Sequence, residues 1–300
     1  MKRVVSVSLG SSRRDHQAVA NFGGQDFLIE RIGTDGDKKK AIQLIKQLDG
    51  TVDAFGMGGT DLYVYAGNKR YTFSESAEIA AAAQKTPIVD GSGIKNTLER
   101  RVVQYLAREG GITFKNKPVL VVCAVDRFGL AEELVAAGSK TVFGDLLFGL
   151  GLPIPISSLN YLAMLARVIA PIITKLPVSL FYPTGDNQVK TTPRFSQYFK
   201  EAEIIAGDFH FIRRYMPERL DGKLIITNTV TQKDEKLLQD RGVATLITTT
   251  PEIGGRSFGT NVLEGVLVAL SGKRPEELTV VDYGHILDQI NIMPRIKRLS

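Results

Sequence analysis

The 300-residue sequence has one cysteine and three histidines, and each scarcity excludes a class of chemistry. Cys123 cannot form an intramolecular disulfide, and a single thiol makes no thiolate metal site. It lies in the apolar run Val119–Val125, where cysteine acts as a small hydrophobe. His16, His210 and His285 are far apart and lack H-E-x-x-H spacing, so no metal is expected. Long apolar runs are also missing. Leu159–Ile173 and Val262–Leu270 are interrupted by Asn160, Arg167, Pro171 and Glu264, short of the roughly 18 apolar residues of a membrane span. The opening MKRVVSVSLGSS alternates through Val5, Val7 and Leu9 like a strand, and no A-x-A site follows it. A signal peptide is therefore rejected and a cytoplasmic location expected. Internal repeats and low-complexity tracts are absent.

What is present fits an ordinary folded chain of about two domains, with 43% hydrophobic and 23% charged residues. The net charge of +6 is scattered over Lys38–Lys40, Arg100–Arg101 and Lys297–Arg298. No aromatic residues interleave with these groups as on a single-strand binding platform. The expected partner is a small anionic molecule, with no nucleic acid and no membrane; a homodimer is allowed.

Residues 1–112 read as short strands and helices. Strands are expected at Val4–Leu9, Ala18–Phe22, Phe27–Ile32, Val52–Met57, Leu62–Tyr65, Lys69–Phe73 and Pro87–Val89. A hairpin turn falls at Gly67–Asn68. Helices are expected at Asp37–Leu48, with Asp37 as its cap, and at Glu75–Gln84. A longer one, Ile94–Arg108, would bridge two domains. From residue 113 onward strands and helices alternate. The strands Val119–Val125, Thr141–Gly144, Val178–Phe181, Ile204–Ala206, Leu224–Thr227 and Thr245–Thr248 are continuous apolar runs, as in a parallel sheet covered on both faces. Helices lie near Phe128–Ala137, Ser157–Lys175, Arg194–Ala202, Gln232–Arg241 and Thr260–Ser271. The fold class is α/β: a smaller N-terminal domain, then a Rossmann-like doubly wound sheet over 113–300 with a returning C-terminal helix.

A dinucleotide site needs G-x-G-x-x-G after the first strand. This sequence has Cys123-Ala124-Val125-Asp126-Arg127-Phe128-Gly129 instead. Ala124, Asp126 and Gly129 would take the three glycine positions, with Arg127 offsetting the Asp126 charge. Alternatively, Asp126 is only a helix cap. Asp145 ends the second strand about 20 residues later, where a carboxylate holds the ribose of NAD in preference to NADP. Polar loops at later strand ends add Gly207, Asp208 and Asn228 to this cofactor set.

In the N-terminal half, Thr60-Asp61 and Asp90-Gly91-Ser92-Gly93-Ile94-Lys95-Asn96 follow short strands. Lys95, at the start of the bridging helix, would shuttle a proton with Asp61 or Asp90 as its partner. Thr60, Asn96 and Arg256 would contact substrate, Arg256 as a carboxylate clamp within EIGGRSFGTN. That segment also reads as a plain glycine hairpin.

The segments VSVSLGSS, GTDGDKKKAI, AFGMGGTDLYVYAG, DGSGIKNTLERRVV, GDFHFIRRYMP and GGRSFGTNVLE resemble bacterial proteins labelled quinate 5-dehydrogenase over essentially the full length. The whole-chain layout resembles that of shikimate and quinate dehydrogenases. This resemblance implies an NAD(P)-dependent oxidoreductase acting on a cyclic polyhydroxy acid such as quinate or shikimate. The chain departs from the pattern in lacking the glycine-rich loop and the N-V-T-x-P segment ahead of the lysine motif. A second reading follows: a non-catalytic small-molecule binding or sensor protein with a degenerate Rossmann-like domain.

Overall fold

The computed structural model describes residues 1–66, 69–177 and 190–300, with the side chains of all of them except Ala66 and Arg256. The expected strand Val178–Phe181, the loop 182–188 and the turn Gly67–Asn68 lie outside the described residues. Two lobes are present, each built on a mixed sheet.

The N-terminal lobe comprises β1 (Lys2–Ser8), β2 (His16–Phe22), β3 (Gln25–Gly33), α1 (Lys38–Leu48), β4 (Ala54–Gly58), the hairpin β5 (Tyr63–Ala66) and β6 (Lys69–Thr72), α2 (Ser74–Ala80) and β7 (Ile88–Val89). Its sheet has the order β2-β3-β1-β4-β7, parallel except for the edge strand β2. The 17-residue α3 (Ser92–Arg108) leaves this lobe.

The second sheet is built from β8 (Pro118–Val121), α4 (Phe128–Ala136), β9 (Lys140–Phe143), α5 (Leu159–Ile173), α6 (Ser196–Glu201), β10 (Ile204–Ala206), α7 (Phe209–Tyr215), β11 (Leu224–Thr227), α8 (Gln232–Asp240) and β12 (Thr245–Thr248). There follow the hairpin β13 (Glu252–Ile253) and β14 (Arg256–Ser257), α9 (Thr260–Ser271), α10 (Val280–Gln289) and β15 (Arg295–Arg298). Among the described residues the order is β15-β12-β11-β10-β8-β9. The expectation of a wholly parallel sheet is corrected at one edge, where β15 runs antiparallel to β12.

Strand alternation assigns the faces of the first sheet. Val5, Val7, Phe55 and Met57 pack on Ala41 and Ile45 of α1 and Ile79 of α2. Val4, Phe27, Ile29 and Ala54 face the other way and are covered by Val262, Val266 and Ala269 of α9. The helix following the second sheet therefore lies on the first. The bridging helix is shared as well. Ile94 and Leu98 of α3 pack with Leu263 and Leu267 of α9 and Leu287 of α10. One to two turns later, Val102, Val103 and Leu106 join the core of the second sheet with Leu130, Leu134 and Val119. A helix whose two halves are buried in different cores fixes the lobes to each other.

Two local differences from the sequence reading have clear causes. β8 ends at Val121; the Val122 N–H still donates to the Ala206 carbonyl of β10 at 3.0 Å, and then those of Ala124 and Val125 turn to the Asp145 carboxylate at 2.9–3.1 Å. The irregular stretch after β10 contains α7, capped by Asp208, whose side chain accepts from the N–H of His210 at 2.8 Å. Phe209, Phe211, Ile212 and Tyr215 are all buried there, so no single apolar stripe marks the helix.

Candidate functional site

Strand ends from both sheets meet at one polar cavity. From the N-terminal lobe come Met57-Gly58-Gly59 after β4, with Thr60, Asp61, Asp90 and Lys95. From the second sheet come Asp126 and Arg127 after β8, Asp208 and His210 after β10, and Asn228 and Thr229 after β11. Gly259, Thr260 and Asn261 at the start of α9 complete the wall. The volume is about 100 Å³. A second space of about 60 Å³ adjoins it and shares Gly58, Gly59, His210, Thr229, Gly259 and Asn261.

The glycines of AFGMGG have a packing reason. A Cβ on Gly56 would stand 2.9–3.1 Å from the Asn261 side-chain and backbone atoms, so only glycine lets α9 approach the end of β4. Asn261 uses that closeness to donate from Nδ2 to the Ser6 hydroxyl at 2.7 Å. Gly91, at φ +96°, lies as close to Thr260 and Asn261 and turns the chain into α3.

Lys95 is buried, with its ammonium 2.6 Å from Asp126 and 3.1 Å from Asp61. Burial alone would lower its pKa, but the two carboxylates win and hold it above the ordinary lysine value. A proton shuttle needs a pKa near the working pH. Both carboxylates favour the ammonium form of Lys95 in this arrangement. Asp90 is occupied too: it accepts from the N–H groups of Leu62, Tyr63 and Ser92 and from the Ser92 hydroxyl, at 2.5–3.1 Å.

Arg127 is equally committed. It pairs with Glu99 of α3 and, at 3.1 Å, with Asp208. Burial would lower the guanidinium, but Glu99 and Asp208 hold it high. Burial would raise the Asp208 carboxyl, but surrounding charge, Arg127 included, and a 2.9 Å bond from Asn228 hold it well below the carboxylate range. His210 goes the other way: burial first, then the charge of Arg14, depresses it to about 4, leaving a neutral imidazole at pH 7. Nearby, the Glu264 carboxyl accepts from the N–H of Gly91 at 2.6 Å and from the Tyr283 hydroxyl at 2.9 Å. Burial and then Asp90 push it up to about 8.

Of the residues singled out from sequence, the structure brings together Thr60, Asp61, Asp90, Lys95, Asp126, Arg127, Asp208 and Asn228. It places the others elsewhere. The Asp145 carboxylate, raised to about 6 by burial despite its backbone donors, caps the Ala124–Val125 turn and lines a separate, mainly apolar space with Cys123, Leu146 and Ile169. Ala124 is fully buried. Gly129 and Asn96 serve a helix contact, in which Asn96 accepts from the Gly129 N–H at 2.9 Å and a Cβ at Gly129 would strike the Asn96 backbone. Gly207, at φ +128°, passes against Val122. Arg256 belongs to the β13–β14 hairpin, and its side chain lies outside the described residues.

Sequence reasoning missed Ser6, Ser8, Arg14, Arg31 and Asn261 as cavity residues. A signal existed in β1, where Val4, Ser6 and Ser8 share a face that turns from apolar to hydroxylic toward the strand end. Another was Glu264, a lone carboxylate in the apolar helix TNVLEGVLVALS.

Fold and site together define a two-lobed α/β protein with a polar cavity between its lobes. Residues 93–299 match the family described as Domain of unknown function (DUF8754), and the chain belongs to it. Residues 3–90 match Domain of unknown function (DUF8753). No curated protein sequence matches the chain. Among solved structures it is similar to an ABC transporter solute binding protein from Agrobacterium vitis with bound allitol: 10% identity, 100% of this chain and 96% of that one, TM-score 0.38. It is similar to a sugar ABC transport system substrate-binding protein from Bordetella parapertussis, at 13% identity over 98% of this chain and 83% of that one, TM-score 0.34. It is also similar to a hetero-hexameric glutamate dehydrogenase from Thermus thermophilus, at 11% identity over 97% and 73%, TM-score 0.43.

The expected NAD(P)-dependent quinate or shikimate dehydrogenase is corrected to a two-lobed α/β fold alone: the families matched are of unknown function, and likenesses at these TM-scores carry no activity. No described helix is long and apolar enough to cross a membrane.

Proposed function

We propose that this chain is a non-catalytic binding protein that holds a small polar ligand between its two lobes. The carrying observation is the cavity itself: both lobes supply its walls, and its charged groups are fixed in place by partners. Lys95 and Arg127 keep their charge, His210 stays neutral, and Asp61, Asp126 and Asp208 are ion-paired. Such a surface is preorganised for hydrogen bonding, not for moving protons. A cavity of about 100 Å³ lined by these polar groups suits a small hydroxylated molecule such as a hydroxy acid or a sugar. In this reading the second lobe is Rossmann-like, with parallel strands β9-β8-β10-β11-β12, and has lost the phosphate loop.

The test is a thermal-denaturation series with small polyols, hydroxy acids, NAD and NADP. A true ligand at 100 times its dissociation constant adds about 2.7 kcal/mol of stability. Stabilisation by a small hydroxylated compound that is recovered chemically unchanged is expected. Stabilisation by the dinucleotides alone would overturn the proposal.

A further inference from the structure

We infer that the smaller space beside the main cavity is an oxyanion subsite, which receives the phosphate or carboxylate group of the ligand through Arg14, Arg31, His210 and the hydroxyls of Ser6 and Ser8. This inference rests on the binding reading above and names the chemical class of the ligand.

The two ends of the chamber differ in charge. The larger space is lined by Asp61, Asp90, Asp126 and Asp208 around Lys95 and Arg127. The smaller is lined by Arg14 and Arg31 and by no carboxylate among the described residues. Arg31 is held rigidly from behind: one Nη donates to the Ser11 carbonyl at 3.0 Å and to Asp15 at 2.9 Å, the other to the Ser8 hydroxyl at 3.0 Å. Arg14 is on the N-terminal lobe and reaches across to Asp234 in the first turn of α8, at 3.5 Å. Ser6 accepts from Asn261 and Ser8 accepts from the Gly10 N–H and from Arg31. Ser6 thereby spends one lone pair and Ser8 both, and each keeps its own proton to donate. The Nδ1 of His210 is buried with no hydrogen-bond partner among the described residues. An unpaired nitrogen in such a place costs stability unless something arrives to meet it. The first turn of α9, whose Gly259 cap carries no side chain, adds its positive end to the same space.

Electrostatics agree with this geometry. Burial, and then the nearby Arg14, lower Arg31 to about 10. Burial lowers Arg14 despite Asp234. The groups facing His210 are Arg14 and Arg31 on one side and Asp208 and Asp234 on the other, and the balance leaves it neutral. Two guanidinium groups and the His210 ring thus line one small space whose wall holds no carboxylate among the described residues. An anion entering that space favours the protonated form of the His210 ring.

The experiment is an NMR titration of the His210 ring in the full chain, alone and with inorganic phosphate, sulfate, acetate or an uncharged polyol. Saturable binding of an anion is expected to raise the His210 pKa from about 4 by a unit or more. Tighter binding of phosphate and sulfate than of acetate identifies a tetrahedral group, and the reverse order a carboxylate. The polyol should leave the His210 pKa unchanged. Arg31→Gln should weaken anion binding at least tenfold. Should that variant not fold, His210→Gln, which replaces a neutral ring, serves in its place, read by thermal stabilisation with the same anions. Anions that bind non-saturably, or equally well to parent and variants, would overturn the subsite. If the uncharged polyol still stabilises the protein in that case, the binding reading stands and only the anion is lost. If nothing small stabilises it, both fall.

Discussion

Lys95 and Asp126 meet at 2.6 Å across the join between the lobes, the lysine on the bridging helix and the aspartate in the turn after β8. Asp61 holds the same ammonium at 3.1 Å, so one buried cation ties together three segments distant in sequence. Removing one partner of a buried ion pair leaves an uncompensated charge, typically at a cost of about 3–5 kcal/mol. Lys95→Met should lower stability by that amount in urea unfolding, while the double variant with Asp126→Asn should recover part of the loss. A single Lys95→Met change within 1 kcal/mol of the parent would show that the pair holds nothing together.

The depressed His210 predicts loss of stability in acid. Its folded pKa of about 4 lies below the ordinary imidazole value of 6.5, so between those values the unfolded chain binds more protons. Stability from this source is complete above 6.5 and falls as the pH drops toward 4, by about 1.4 kcal/mol per unit where the two states differ fully in protonation. His210→Gln should flatten the acid limb of a denaturation midpoint plotted against pH. An unchanged limb would mean that the ring is solvated in solution.

Glu264 predicts the opposite slope on the alkaline side. Burial and Asp90 raise its folded pKa to about 8 from 4.5, so the folded chain keeps a proton that the unfolded chain releases. Its contribution is full below 4.5 and disappears as the pH rises through 8. Glu264→Gln, which mimics the protonated acid, should reduce the decline between pH 5 and 8. Calorimetry over that range decides the matter, and a decline as steep as the parent's would rule out Glu264 as its source.

Gly91 and Gly56 predict a packing limit. Gly91→Ala meets both a φ of +96° and atoms of Thr260 and Asn261 at 2.5–2.9 Å. Gly56→Ala meets only the crowding, at 2.9–3.1 Å. Overpacking typically costs about 1–3 kcal/mol, and Gly91→Ala should cost more than Gly56→Ala because backbone strain is added. Melting temperatures in the reverse order would place the strain elsewhere.

Elements whose pattern is local were legible in the sequence. β10, β11, β12 and α9 occupy the residues expected, because each is a short apolar run or stripe bounded by turn residues. Asp37 caps α1 with a 3.0 Å bond, as its position before that stripe predicts. α10 was readable and was missed: Thr279 and Asp282 form a capping box just ahead of it. The cavity was only half legible. Polar residues at strand ends were visible one loop at a time, and spacing cannot show that Arg14 lies opposite Asp234, or that the Asp145 carboxylate turns inward to the backbone of Ala124 and Val125. Those contacts depend on how two sheets are docked, and no window of sequence contains both partners.

The placement of α9 on the first sheet has a consequence for synthesis. Val4, Phe27, Ile29 and Ala54 leave the ribosome some 200 residues ahead of Val262, Val266 and Ala269, which cover them. Until then one face of the growing sheet stays bare, and the hydrophobic strands that the second half contributes emerge alongside it. The N-terminal lobe therefore cannot mature as an independent vectorial unit. Its final burial awaits nearly the whole chain, and contacts so distant in sequence slow folding.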